Sequence, residues 1–367
     1  MYSQQELDDA VAAGVISAKA ADALRAHVET QRSTVIPDEE QFRLLTGFND
    51  IFVSIAAAIL LFAVGWIGQS IGASVGLVVD SDGPSFLAPL AVAAASWGLA
   101  LFFTAKRRMA LPSILLLLAF VGGAFLTAAF AIVSAFGPQM FDNNPQLGGV
   151  VAAVAGIVAA GGAWLHWRTF RVPITIAAGA AAISAMVVGL LVAAMGERIE
   201  TAKDLVLGLV LMLGIGTFLF AMWWDASDRA RVTRRSDVAF WLHLLAAPMI
   251  VHPIFSLLGL NDGNATIGEG VVVILLYVVI GLTALAIDRR ALLVSALAYV
   301  LYAMTELFKQ FGAVELNIAL TALVIGSSLL MLSAFWHQAR RAVVTKLPES
   351  LRDKLPIVDR PALAQAA

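Results

Sequence analysis

The chain has 367 residues, of which 60% are hydrophobic and only 14% charged, against roughly 45–50% and about 25% in a soluble globular domain. Its 24 Lys and Arg are balanced by 26 Asp and Glu, which excludes nucleic-acid binding through a basic surface. The absence of Cys excludes disulfides, thiolate metal sites and cysteine nucleophiles. A chain this apolar needs lipid as its solvent.

Met1 to Glu40 is rich in Glu, Asp and Gln and carries no apolar leader run, so insertion is expected to begin at the first span. Gln4–Ala13 and Ala18–Gln31 read as two helices, with Gly14 as the stop of one and Ser17 as the N-cap of the next. This hairpin is expected to be a solvated membrane-proximal cap or, through residues 1–32, a docking unit for a protein partner, a second copy or the chain's own membrane domain. Ten stretches then approach the roughly 20 apolar residues that a bilayer demands: 51–74, 85–105, 111–136, 148–166, 173–195, 204–224, 238–259, 268–287, 291–312 and 315–337. The runs are continuous rather than alternating, which favours helices over barrel strands. The expected fold is therefore all-α, with about ten transmembrane helices over 50–338, a two-helix region at 1–49 and a tail at 339–367. Pro348, Pro356 and Pro361 lead us to expect flexible chain beyond Ala342.

The loops orient the bundle. Lys106, Arg107 and Arg108, then Arg168 and Arg171, then Arg229, Arg231, Arg234 and Arg235, then Arg289 and Arg290 all fall on one side. With the terminal segments that side holds 21 cations, against Arg198, Lys203 and Lys309 on the other. The positive-inside rule leads us to expect both termini in the cytoplasm.

The opening Leu7-Asp8-Asp9-Ala10-Val11-Ala12-Ala13-Gly14-Val15-Ile16-Ser17, then Ala20-Ala21 and Leu24, resembles a family of bacterial multi-pass membrane proteins classed as a domain of unknown function. The resemblance covers about 30 residues and the general architecture, and implies no active residues. The ten-span body also resembles drug/metabolite transporters in span number and termini.

Small residues recur at helical spacing: Gly68, Gly72 and Gly76; Ala152, Gly156 and Ala160; Ala177 to Ala182. Such faces let backbones approach closely in lipid. Trp164-Leu165-His166, Trp241-Leu242-His243 and Trp336-His337 are expected in the interfacial aromatic belt. A haem between His166 and His243 is the minor alternative, and no cofactor is expected.

Ionisable groups inside spans are the default functional candidates. Ser295, Tyr299, Tyr302, Glu306 and Lys309 form one polar stripe on the ninth stretch, facing Asn317, Thr321 and Ser328 with Glu315 on the tenth. The seventh stretch is expected to break at Pro248 and Pro253, beside His252. With Glu269, these residues suggest a polar vestibule between helices seven and ten, open to the periplasm. There Glu306 and His252 would carry protons and Lys309 would attract anions. The leading reading is a transporter-like protein for a small solute. The alternative is a membrane scaffold or sensor that recruits a partner through the hairpin. An enzyme is the weaker expectation, since no phosphate loop, metalloprotease or nucleophile-elbow motif is present. Asp225 and Asp228 resemble the carboxylate pair of membrane prenyl or alcohol-phosphate transferases. They lack a second cluster, however, and are expected in a solvated inner loop.

Overall fold

The computed structural model describes residues 10–24, 48–80, 83–141, 144–229, 231, 233–259, 267–310 and 317–358. Among them, every regular element is helical. The chain divides into two units, Met1–Phe42 with Asp359–Ala367 and Arg43–Val358. In the first, residues 10–12 and 18–24 are helical. The turn between them uses Gly14 at φ +69°, a conformation that costs glycine nothing, and the Val15 amide donates to the Ala10 carbonyl at 3.0 Å. Ser17 Oγ accepts from the Ala20 amide at 3.1 Å, so the predicted stop and cap are both present. The remainder of the predicted hairpin lies outside the described residues.

The second unit is a helical bundle: α1 (Phe48–Ser74), α2 (Leu87–Phe103), α3 (Ala110–Phe136), α4 (Pro145–Phe170), α5 (Ile174–Met195), α6 (Lys203–Ala226), α7 (Arg234–Leu257), α8 (Ile267–Ile287), α9 (Ala291–Gln310), α10 (Asn317–Ala334), α11 (Trp336–Val344) and α12 (Glu349–Arg352). A helix fills each of the ten apolar stretches, but not all are clear spans. Seven (α1 and α3 to α8) are long and apolar enough to cross a membrane, and α10 with α11 makes an eighth if that pair, bent by 74°, counts as one. The α2 helix has 17 residues, and in α9 the described apolar part is Leu292–Tyr302. The protein is thus a polytopic helical membrane protein, with seven to eight clear spans among the described residues.

Successive helices pack side by side, most closely α4 on α5 and α6 on α7. The α4–α5 seam explains the small residues. A Cβ on Gly156 would stand 2.7 Å from the Met186 backbone nitrogen, and one on Gly189 would stand 2.6 Å from that of Ala153. Gly68 likewise admits the Leu87 carbonyl of α2, whereas Gly76 lies past the end of α1, in a turn. The most enclosed span is α7, half buried where α6 is 11% buried; it packs against α5, α6 and α9. It also runs unbroken through Pro248 and Pro253, correcting the expectation of a broken helix. Each proline removes one hydrogen bond, but the neighbouring helices hold the rest of the ladder.

At one end of the bundle Trp167, Ile176, Trp224 and Trp241 pack around Val238 and Leu242. The turns that join α2 to α3, α4 to α5, α6 to α7 and α8 to α9 contain, in order, Arg108, Arg171, Arg231 and Asp288, with φ of 54°, 53°, 54° and 57°. Among the described residues these are the non-glycine positions with positive φ.

Candidate functional site

Of the predicted vestibule residues, the structure brings together His252 of α7 and Tyr299 of α9. The His252 Nδ1 and Tyr299 hydroxyl share a hydrogen bond of 2.6 Å, and the Tyr299 ring lies 4.4 Å from that of Phe255. His252 is exposed, and Tyr302 is 37% exposed. The Thr305 and Thr321 hydroxyls, 3.4 Å apart, link α9 to α10. Ser328 does not join them: it is exposed, and its hydroxyl donates to the Val324 carbonyl at 2.6 Å. The side chains of Glu269, Ser295, Glu306, Lys309 and Asn317, and all of Glu315, lie outside the described residues. A cleft of about 420 Å³ lies elsewhere, between the start of α4 and the end of α5, with Asn144, Gln146, Glu197 and Arg198 in its wall.

The densest polar constellation is at the arginine-rich end. Asp225, in the last turn of α6, is 1% exposed. Its carboxylate accepts from His243 Nε2 of α7 at 3.1 Å and from both Nε (3.3 Å) and Nη2 of Arg289. Arg289 Nη2 also reaches the Ser236 carbonyl at 3.1 Å. The contact to the carboxylate selects the tautomer with hydrogen on Nε2, and the buried His243 Nδ1 finds no hydrogen-bond partner among the described residues. One residue from Arg289, Asp288 accepts from Arg231 Nη1 at 2.8 Å and from the indole nitrogen of Trp336 at 2.7 Å, with Arg340 Nε at 3.8 Å. Asp228 caps the start of α7, accepting from the Thr233 amide at 2.9 Å and its hydroxyl at 2.6 Å.

Arg289 thus meets Asp225, Arg231 and Arg340 meet Asp288, and Asp228 holds Thr233; these three carboxylates and three guanidinium groups balance in charge with His243 uncharged. Burial opposes ionisation of Asp288, but Arg231, Arg340, the Trp336 donor and Arg289 outweigh it and hold its carboxyl below the usual range. The network extends into the tail: Arg340 donates to the Pro356 carbonyl at 2.7 Å, and Arg229 donates to those of Leu355 (2.9 Å) and Arg352 (3.1 Å). Leu355 joins a core with Leu285, Leu292 and Trp336.

Three expectations are corrected here. Asp225 and Asp228 are not in a solvated loop but buried, because Arg289 from a distant turn answers Asp225 and the Thr233 amide and hydroxyl hold Asp228. The chain from Ala342 to Val358 is a docked strap rather than free tail, because Leu355 and three backbone carbonyls are anchored. His166 (1% exposed), His243 (fully buried) and Trp336 (2% exposed) do not sit in an aromatic belt, although Trp164 is exposed as that belt requires. His166 instead contacts Thr175 Oγ1 at 3.2 Å among the rings of Trp97, Phe120 and Phe170. Among the described residues, no three His, Asp or Glu side chains are placed to hold a metal ion.

The arrangement joins the ends of α6, α7, α8 and α11 by charge-assisted bonds, as a lock would. No family model, characterised protein or solved structure matches the chain.

Proposed function

We propose that this protein is a transporter-like protein of the bacterial inner membrane, with ten helices lodged in the bilayer and both termini in the cytoplasm. In this reading a small polar or amphipathic solute enters from the periplasm and is met between α7 and α10. The observation that carries it is the His252–Tyr299 hydrogen bond joining two neighbouring helices, with the imidazole exposed. A polar pair facing hydrocarbon is costly, whereas one lining a water-filled recess is not. The neutral charge lock at the opposite end of α7 fits a closed cytoplasmic side, and the cation asymmetry of the loops supports the orientation.

The natural absence of Cys makes this testable with single cysteines. His252→Cys and Tyr302→Cys should react with a membrane-impermeant maleimide in intact cells, whereas Lys106→Cys should react only after permeabilisation. If neither His252→Cys nor Tyr302→Cys is labelled in either condition, the recess does not exist.

The separate compact unit that contains the helical turn at Gly14 favours a second reading, a scaffold or sensor that recruits a protein partner. A transporter loses its growth phenotype with Glu306→Gln and keeps it when residues 1–40 are deleted. A scaffold shows the reverse.

A further inference from the structure

The four turns at the arginine-rich end share a left-handed charged residue but use it differently. In the α6–α7 and α8–α9 turns, Arg231 and Asp288 bond to each other. The other two turns offer no such partner. Residues 104–109 and 167–173 contain Lys106, Arg107, Arg108, Arg168 and Arg171, and no Asp or Glu. All five cations are exposed. The two turns are neighbours, since Phe103 and Phe170 pack against one core.

Topology alone asks only for cations somewhere in these loops. It does not explain arginine at φ 54° and 53°, where glycine or asparagine would sit without strain. Nor does it explain why two of the cations stand over exposed rings. The Arg168 guanidinium lies 5.2 Å from the Trp164 ring centroid and that of Arg107 5.5 Å from Phe102, with Trp164 60% and Phe102 43% exposed. Exposed aromatics at a helix end mark headgroup depth, and cations stacked on them are held in the plane of the lipid phosphates.

We propose that the α2–α3 and α4–α5 turns together form a binding surface for the phosphate headgroups of anionic phospholipids. Arg108 and Arg171 supply outward-pointing charge, and Trp164 and Phe102 set the depth. Arg231 and Arg289 of the lock beside it, occupied by Asp288 and Asp225, contribute none.

Native mass spectrometry of the full chain in neutral detergent, titrated with phosphatidylglycerol or phosphatidylcholine, tests this. The wild type should bind phosphatidylglycerol more tightly. The double variant Arg108→Gly/Arg171→Gly keeps both turns. It should lose roughly 25-fold in phosphatidylglycerol affinity, about fivefold per cation, with phosphatidylcholine binding unchanged and a melting temperature in detergent alone that is equal or higher. Lys346→Gln/Lys354→Gln, with the same change in net charge, should keep the preference. Equal losses in both pairs would mean a uniform attraction and overturn the site. Equal wild-type affinity for the two lipids would also overturn it. Displacement of phosphatidylglycerol by equimolar inorganic phosphate would assign the surface to a soluble anion instead.

Discussion

At the scale of single residues, the molecule spends its scarce charge on buried pairs. Asp225 and Arg289 are both nearly inaccessible, and removing one member of such a pair leaves the other uncompensated. Asp225→Asn should therefore destabilise the bundle by about 3–5 kcal/mol, read as a lower denaturation midpoint in detergent. The double change Asp225→Asn/Arg289→Gln should recover part of that loss. Asp288 makes a pH prediction. Its folded-state carboxyl is depressed, so its stabilisation is complete above the unfolded value of about 3.9 and is lost as pH falls through the folded value. Melting temperature should thus stay flat in this respect from pH 8 to 5 and fall below about pH 4. Asp288→Asn should show the deficit throughout. These partners were not legible in the chain. Asp225 meets residues 18 and 64 positions away, and nothing local distinguishes it from a solvated loop aspartate.

At the scale of helices, much was legible. Continuous apolar runs and short charged interruptions located all ten helices of the bundle to within a few residues, because hydrocarbon leaves the backbone no other way to satisfy its hydrogen bonds. Packing made the difference where the reading failed. Pro253 suggested a break, but α7 is the most enclosed helix and its neighbours keep it whole. Phe335 carried no breaking signal, yet α10 turns there by 74°, since Trp336 must reach Asp288. The glycine spacing revealed a close seam but not its partner. Gly156→Ala would push against the Met186 and Ala182 backbones and should cost about 1–3 kcal/mol. On the same helix, Gly161 faces open space, so Gly161→Ala should be neutral or slightly stabilising. Thermal unfolding of the two variants side by side distinguishes seam from surface.

At the scale of the whole molecule, the two ends of the bundle differ in kind. One end is closed by the neutral network and the strap over it; the His252–Tyr299 pair lies toward the other end of α7. Deleting the chain from Lys346 onward removes buried Leu355 and the carbonyls that Arg340 and Arg229 cap. This should lower stability by about 2–4 kcal/mol, measured by thermal unfolding. Of the candidate site residues, the sequence placed His252 beside the stripe on α9, and Tyr299 meets it, but whole-helix periodicity could not foresee that Ser328 turns outward.

The lock also imposes an order on biosynthesis. Asp225 leaves the ribosome 64 residues before Arg289, roughly 3 to 13 s earlier at ordinary elongation rates. During that interval Asp225 lacks its Arg289 partner, while α1 to α4 already possess their packing partners. The amino-terminal four helices can settle as they emerge, whereas the end of α6 must wait for Arg289 before its carboxylate is paired. A nascent chain stalled between Asp225 and Arg289 should accordingly be the form most exposed to membrane quality-control proteases.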